Sequence, residues 1–199
     1  FFESSGEPLF SNNTDDSERE TTINTLIDQL HLSDWAYFEE TAEIREKLRE
    51  QETNGTYNWS LLRHVKSDEP GRVAHYVAID QNSKTAVIAV KGTSALSDLV
   101  TDACGVPTRY NVSKTTLSCH EGVLDASLAL VDDVQPMVEQ LFLPAGYRVL
   151  LLGHSLGAGV ACMVGLFLRE RLPTLREERD GVLPLQVVAF APPPILSSE

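Results

Sequence analysis

The stretch Tyr147–Leu168, YRVLLLGHSLGAGVACMVGLFL, restricts the fold of this chain more than any other. It opens with a short apolar run, Val149–Leu152, of the length and composition of a buried parallel strand. It then turns through Gly153-His154-Ser155-Leu156-Gly157, a G-x-S-x-G pentapeptide. A small-residue helix follows, with Gly157, Ala161 and Gly165 four apart on one face. Strand, sharp turn and helix in that order lift a serine above the end of a sheet. The glycines leave the neighbouring backbone room, and the helix N-terminus favours negative charge developing beside Ser155.

Two plainer readings compete. Val149–Leu168 is twenty residues without a formal charge, enough for a membrane-spanning helix. Gly153, Gly157, Gly159 and the central His154 argue against a lipid-facing span. The other is a chance pentapeptide in a buried strand–helix unit. Its context, including a second motif upstream, favours the serine turn.

A chain of 199 residues is long enough for one sizeable core and short for two. Its net charge of −13 speaks against nucleic acid and gives no help in binding anionic lipid, while a neutral or zwitterionic substrate is not repelled. Three cysteines are too few for a disulfide framework, though Cys104 and Cys119 could close a loop. Cys162 sits in the helix after the serine and reads as core. Sequons at Asn12, Asn54, Asn58 and Asn111 decide nothing without a visible signal peptide. With no evident leader or spanning helix, a cytoplasmic or membrane-associated location is favoured, and peripheral membrane contact stays open.

Along the chain, residues 1–20 are polar and acidic and read as a flexible lead-in to a domain over 21–199. Ile23, Leu26, Ile27 and Leu30 form an amphipathic helical stripe. Ser33-Asp34 reads as the cap of a second helix running to about Gln51 through Trp35, Phe38, Ile44 and Leu48. Three extended segments follow near 60–67, 72–80 and 84–91, with turns at 68–71 and 80–83. Residues 96–103 have a helical stripe, and 104–119 is turn-rich with one short strand at 109–112. Gly122–Phe142 reads as a long helix that Pro136 kinks. A charged, exposed connection over 173–181 leads to a buried parallel strand at Leu185–Ala191. Strands alternating with helices imply an α/β domain with a mainly parallel sheet, in which 85–90, 147–153 and 185–191 are parallel neighbours.

The second motif stands directly after the apolar strand 85–90: Lys91-Gly92-Thr93-Ser94, then Leu96-Ser97-Asp98-Leu99-Val100-Thr101-Asp102. An acyl-transfer site needs two donors aimed at its oxyanion. One is the backbone N–H after the nucleophile, here Leu156; Thr93 lies in a loop of the kind that supplies the second. The same loop also reads as a simple helix cap through Ser94 or Ser97.

Four ordered blocks, VIAVKGTSALSDLVTD, Cys119-His120-Glu121-Gly122-Val123, LLLGHSLGAG and VVAFAPP, together resemble the class 3 lipases, most of all the diacylglycerol lipases. The resemblance covers about 60–199 and implies an α/β-hydrolase fold, a mainly parallel sheet with flanking helices. It implies serine-dependent hydrolysis of acylglycerol esters, with Ser155 as nucleophile, Thr93 and the Leu156 N–H as oxyanion donors, and no cofactor. Lys91 stands where the family usually has Arg and reads as a support for the loop. His154 points to the side opposite Ser155, and His120 reads as packing or capping.

The family triad runs Ser, Asp or Glu, His along the chain. All five histidines, His31, His64, His75, His120 and His154, precede Ser155, so the triad Asp and His are not expected among these 199 residues. The domain therefore reads as C-terminally incomplete, Leu185–Ala191 as lying near an unpaired sheet edge, and the chain alone as inactive. The alternative is a catalytically silent lipase-like module used for binding. Oligomeric state is not readable from these residues.

Overall fold

The computed structural model describes residues 15–52, 55–66, 73–92, 107–112, 115–178, 181–194 and 196–198. Eight strands occur among them. These are β1 (Trp59–Val65), β2 (His75–Asp80), β3 (Thr85–Val90), β4 (Pro107–Val112), β5 (Thr115–His120), β6 (Arg148–His154), β7 (Leu185–Phe190) and β8 (Leu196–Ser198). Five form one sheet in the order β1-β2-β3-β6-β7. The first three make an antiparallel meander, and β3, β6 and β7 are parallel in unbroken register. The parallel trio is the one the sequence predicts, and the sheet as a whole is mixed. Short turns permit the antiparallel half, whereas the parallel half requires helical crossovers.

Both faces of this sheet are covered. The helices are α1 (Asp16–Asp34), α2 (Thr41–Glu52), α3 (Glu121–Met137) and α4 (Leu156–Arg171). Ala86, Ile88 and Val90 of β3 and Val149 and Leu151 of β6 pack with α3 and α4. The alternate residues Val87, Ala89, Leu150 and Leu152 pack with Leu32, Trp35, Ile44 and Leu48 on the other side. Burial on two faces is why these strands read as continuous apolar runs. No helix among the described residues is long and apolar enough to cross a membrane, and the uncharged run 149–168 is divided between β6 and α4.

Several local readings change. The first helix is continuous from Asp16 to Asp34 and is followed by a 3₁₀ turn, Trp35–Tyr37. It starts inside the stretch expected as lead-in. Ser33 is buried within it and caps nothing, because neither glycine nor proline interrupts the helix before Trp35. The stripe is largely exposed, Ile23 at 46%, Ile27 at 45% and Leu30 at 43%, and the core contact falls to Leu32, Trp35 and Ala36. The long helix past Gly122 changes character where Pro136 withholds its N–H. It ends as α-helix at Met137 and continues as a π turn, Val138–Phe142, closed by Leu143 N–H to the Val138 carbonyl at 3.0 Å.

The turn-rich stretch holds a hairpin of β4 and β5, and β8 pairs with β5 to make a second, three-stranded antiparallel sheet. Only 109–112 of it was legible, since the alternation in Thr115–His120 is short, with only Leu117 and Cys119 apolar. The connection after α4 includes a 3₁₀ turn, Pro173–Arg176, that buries Leu175 completely. The helical stripe 96–103, the turn 68–71, Cys104 and Thr93 lie outside the described residues. Cys119 carries a buried thiol, 3.5 Å from the Thr108 carbonyl.

Candidate active site

Ser155 stands at the carboxyl end of β6, between the strand and the first residue of α4, Leu156. Its backbone has φ 55° and ψ −127°, outside the ordinary regions for a residue with a side chain. Such a conformation costs on the order of 1–3 kcal/mol and persists only where the surroundings impose it. Here the Ser155 N–H donates to the Phe190 carbonyl at 2.9 Å, and its own carbonyl accepts from Ala158 at 3.0 Å and Gly159 at 3.3 Å. The turn is fixed from β7 on one side and by the helix start on the other. Leu156 occupies the first helical position, where the N–H has no intrahelical partner.

The two glycines of the pentapeptide are required by space. A Cβ on Gly153 would lie 2.3 Å from the Gly157 carbonyl oxygen. A Cβ on Gly157 would lie 2.4 Å from the Val90 carbonyl oxygen and 2.8 Å from the Gly92 nitrogen. The backbone leaving β3 therefore passes in direct contact with the start of α4. This places Lys91 and Gly92 against the serine turn; Thr93, the next residue, lies outside the described residues.

Tyr37, which the sequence gives no reason to single out, joins these pieces. Its hydroxyl is 3.2 Å from His154 Nδ1 and 3.4 Å from the His154 carbonyl, and it is hydrogen-bonded to the Gly92 backbone. Burial pushes its phenol above the usual range, against the lowering effect of the Gly92 hydrogen bond. It stays a neutral donor and acceptor. His154 is thus held by Tyr37, and its ring is tilted against the tyrosine ring with centroids 6.2 Å apart. Lys91 pairs with Glu39 just beyond the same 3₁₀ turn, so both residues that follow β3 are tied to one segment.

With the geometry in place, comparison with known proteins is decisive. The family model described as Lipase (class 3) matches residues 87–199, more than half of the chain. The chain belongs to the class 3 lipases. It is similar to diacylglycerol lipase-alpha of Rattus norvegicus, 36% identical in an alignment of 134 residues that covers 62% of this chain and 12% of that protein. The lipase of Rhizopus niveus is 33% identical over 101 residues, 50% of this chain and 26% of that one. The chain thus spans about an eighth to a quarter of these curated relatives. Among solved structures, the native Rhizomucor miehei lipase propeptide complex superposes with a TM-score of 0.65 at 23% identity, covering 88% of this chain and 54% of that one. At that identity the likeness concerns the fold, which is that of the α/β-hydrolases.

In this class 3 lipase the other described histidines have different surroundings. His31 is in the last turn of α1. His64 Nδ1 lies 3.0 Å from the Thr41 hydroxyl, and burial pushes its pKa down. His75 is buried, with Nδ1 2.7 Å from the Val73 carbonyl and Nε2 3.9 Å from Asp133, which also pairs with Arg63. His120 precedes α3, makes no side-chain cap and packs its ring against Gly122. None of these rings is hydrogen-bonded to Ser155 among the described residues.

Proposed function

We propose that this chain carries the nucleophile and oxyanion half of a serine hydrolase that cleaves acylglycerol esters, of the diacylglycerol lipase type. The observation that supports the reading best is the strained Ser155 at a strand–helix junction, packed without a Cβ's clearance against the loop that leads to Thr93. The diacylglycerol named for the rat relative is the substrate class taken over here.

In this reading Ser155 Oγ attacks the ester carbonyl. A C–O bond to the serine forms as negative charge moves to the carbonyl oxygen. The Leu156 N–H and Thr93 donate to that oxygen at the entrance of α4, where the helix terminus adds to the stabilisation. The serine proton passes to a histidine and on to the departing alcohol, and water then releases the fatty acid from the acyl-serine. None of the five histidines follows Ser155, so we assign the triad Asp and His to residues outside this chain and expect residues 1–199 alone to show no turnover above a Ser155→Ala control.

The test uses the complete protein. A fluorophosphonate probe should label Ser155, and Ser155→Ala should abolish both labelling and diacylglycerol hydrolysis. Thr93→Val should lower kcat by about tenfold to a thousandfold with little change in KM. A complete protein whose Ser155 takes no probe is a binding module on a lipase fold, and the hydrolase reading is then lost.

A further inference from the structure

The amino-terminal ends of β3, β6 and β7, at the far end of the sheet from Ser155, border an open depression of about 540 Å³. Its walls include Lys84, Tyr147, Arg148, Val182, Leu183 and Pro184. The volume falls in the range of about 300–1,000 Å³ that suits a small ligand. Backbone hydrogen bonds hold the three wall segments together: Arg148 N–H to the Lys84 carbonyl at 2.9 Å, and Val149 N–H to the Pro184 carbonyl at 2.7 Å.

The cations in this depression are positioned by neighbouring side chains. Lys84 Nζ stands 4.8 Å over the centre of the Tyr147 ring. Arg148 Nε donates to Thr85 Oγ1 at 2.8 Å, the Thr85 and Ser83 hydroxyls are 2.9 Å apart, and Ser83 donates to Asp80. That chain orients the guanidinium, and among the described residues its two terminal nitrogens make no hydrogen bond. Among the described residues neither Lys84 nor Arg148 has a carboxylate within ion-pair distance, in a chain whose net charge is −13. Beside them Val182 and Leu183 are 48% and 43% exposed. Two cations with no carboxylate partner among the described residues, next to an apolar lip, suit an anionic head with an apolar tail. The free edge of a guanidinium matches a carboxylate's two oxygens.

We propose that this depression binds a long-chain carboxylate, its head on Lys84 and Arg148 and its tail across Tyr147, Val182 and Leu183. The site is remote from Ser155, and the proposal does not depend on the chain being a hydrolase.

The experiment is photolabelling of the purified chain carrying Ser155→Ala with a diazirine-bearing palmitate, mapped by mass spectrometry. Adducts should fall on peptides containing Tyr147 and 182–188 and be displaced by oleate. Labelling there should drop at least tenfold in the Lys84→Gln/Arg148→Gln double variant and, independently, in Leu183→Glu. All three positions are exposed, and thermal melts establish that each variant is folded. Equal labelling by the matching neutral fatty alcohol would reduce the site to an apolar patch and overturn the proposal. Displacement by acetate or inorganic phosphate as effective as by oleate would make it a plain anion site, which also overturns it. Undiminished labelling in the folded double variant has the same consequence.

Discussion

Tyr37 reaches the serine turn from 117 residues before His154 and touches Gly92, which precedes Thr93, and His154, which precedes Ser155. Removing only its hydroxyl leaves the ring packing and cuts the link between Gly92 and His154. Tyr37→Phe in the complete protein should lower kcat about tenfold and stability by only about 1 kcal/mol, the ordinary worth of one hydrogen bond. Steady-state kinetics beside urea unfolding would separate the two effects, and an unchanged kcat would leave Tyr37 as packing. Asp80 acts on the fold instead. Burial alone would raise its pKa, but hydrogen bonds from Ser83, Asn58 and Asn82 outweigh this and hold the carboxyl below the usual range. A carboxylate with a folded pKa below its unfolded one adds stability above about pH 4 that is lost as pH falls through the folded value. Melting temperature measured from pH 6 down to pH 3 should therefore decline less steeply in Asp80→Asn than in the parent.

At the scale of elements, α1 separates pattern from packing. Its i, i+4, i+7 residues Ile23, Ile27 and Leu30 read as the apolar stripe of an amphipathic helix, yet the helix docks by its last turn and the 3₁₀ turn after it. Ile27→Lys should change stability by no more than about 0.5 kcal/mol. Ile44→Ala on α2, at a fully buried position, should cost about 2–5 kcal/mol. Chemical denaturation of both variants checks the contrast. The parallel strands and the serine turn were legible because they combine apolar runs with glycines that the backbone contacts demand. The reach of α1 was not, since periodicity says that a face is apolar and not what meets it. Tyr37 was not legible either, because its role exists only where Gly92 and His154 converge through three separate segments. The β5 and β8 pairing joins residues about 80 positions apart, and each strand is too short to announce its partner.

Across the whole molecule, one strand connects the two sites. β6 begins at Arg148 and ends at His154, next to Ser155, so at about 3.3 Å per residue the far depression and the serine are roughly 20 Å apart. Both neighbours of β6 hold it in continuous register, from Thr85↔Arg148 to Val90↔Gly153 and from Val149↔Leu185 to His154↔Phe190. Sliding β6 by a single residue would turn Leu150, Leu151 and Leu152 each to the wrong face, which the packing on both sides forbids. Occupancy at one end therefore has no mechanical route to the other. The coupling free energy between the sites should be close to zero, so oleate at saturation should leave the kcat of the complete protein unchanged in the parent and in Lys84→Gln/Arg148→Gln alike. The strand that leads into Ser155 is a strut and not a relay, and a ligand at its far end leaves the rate as it was.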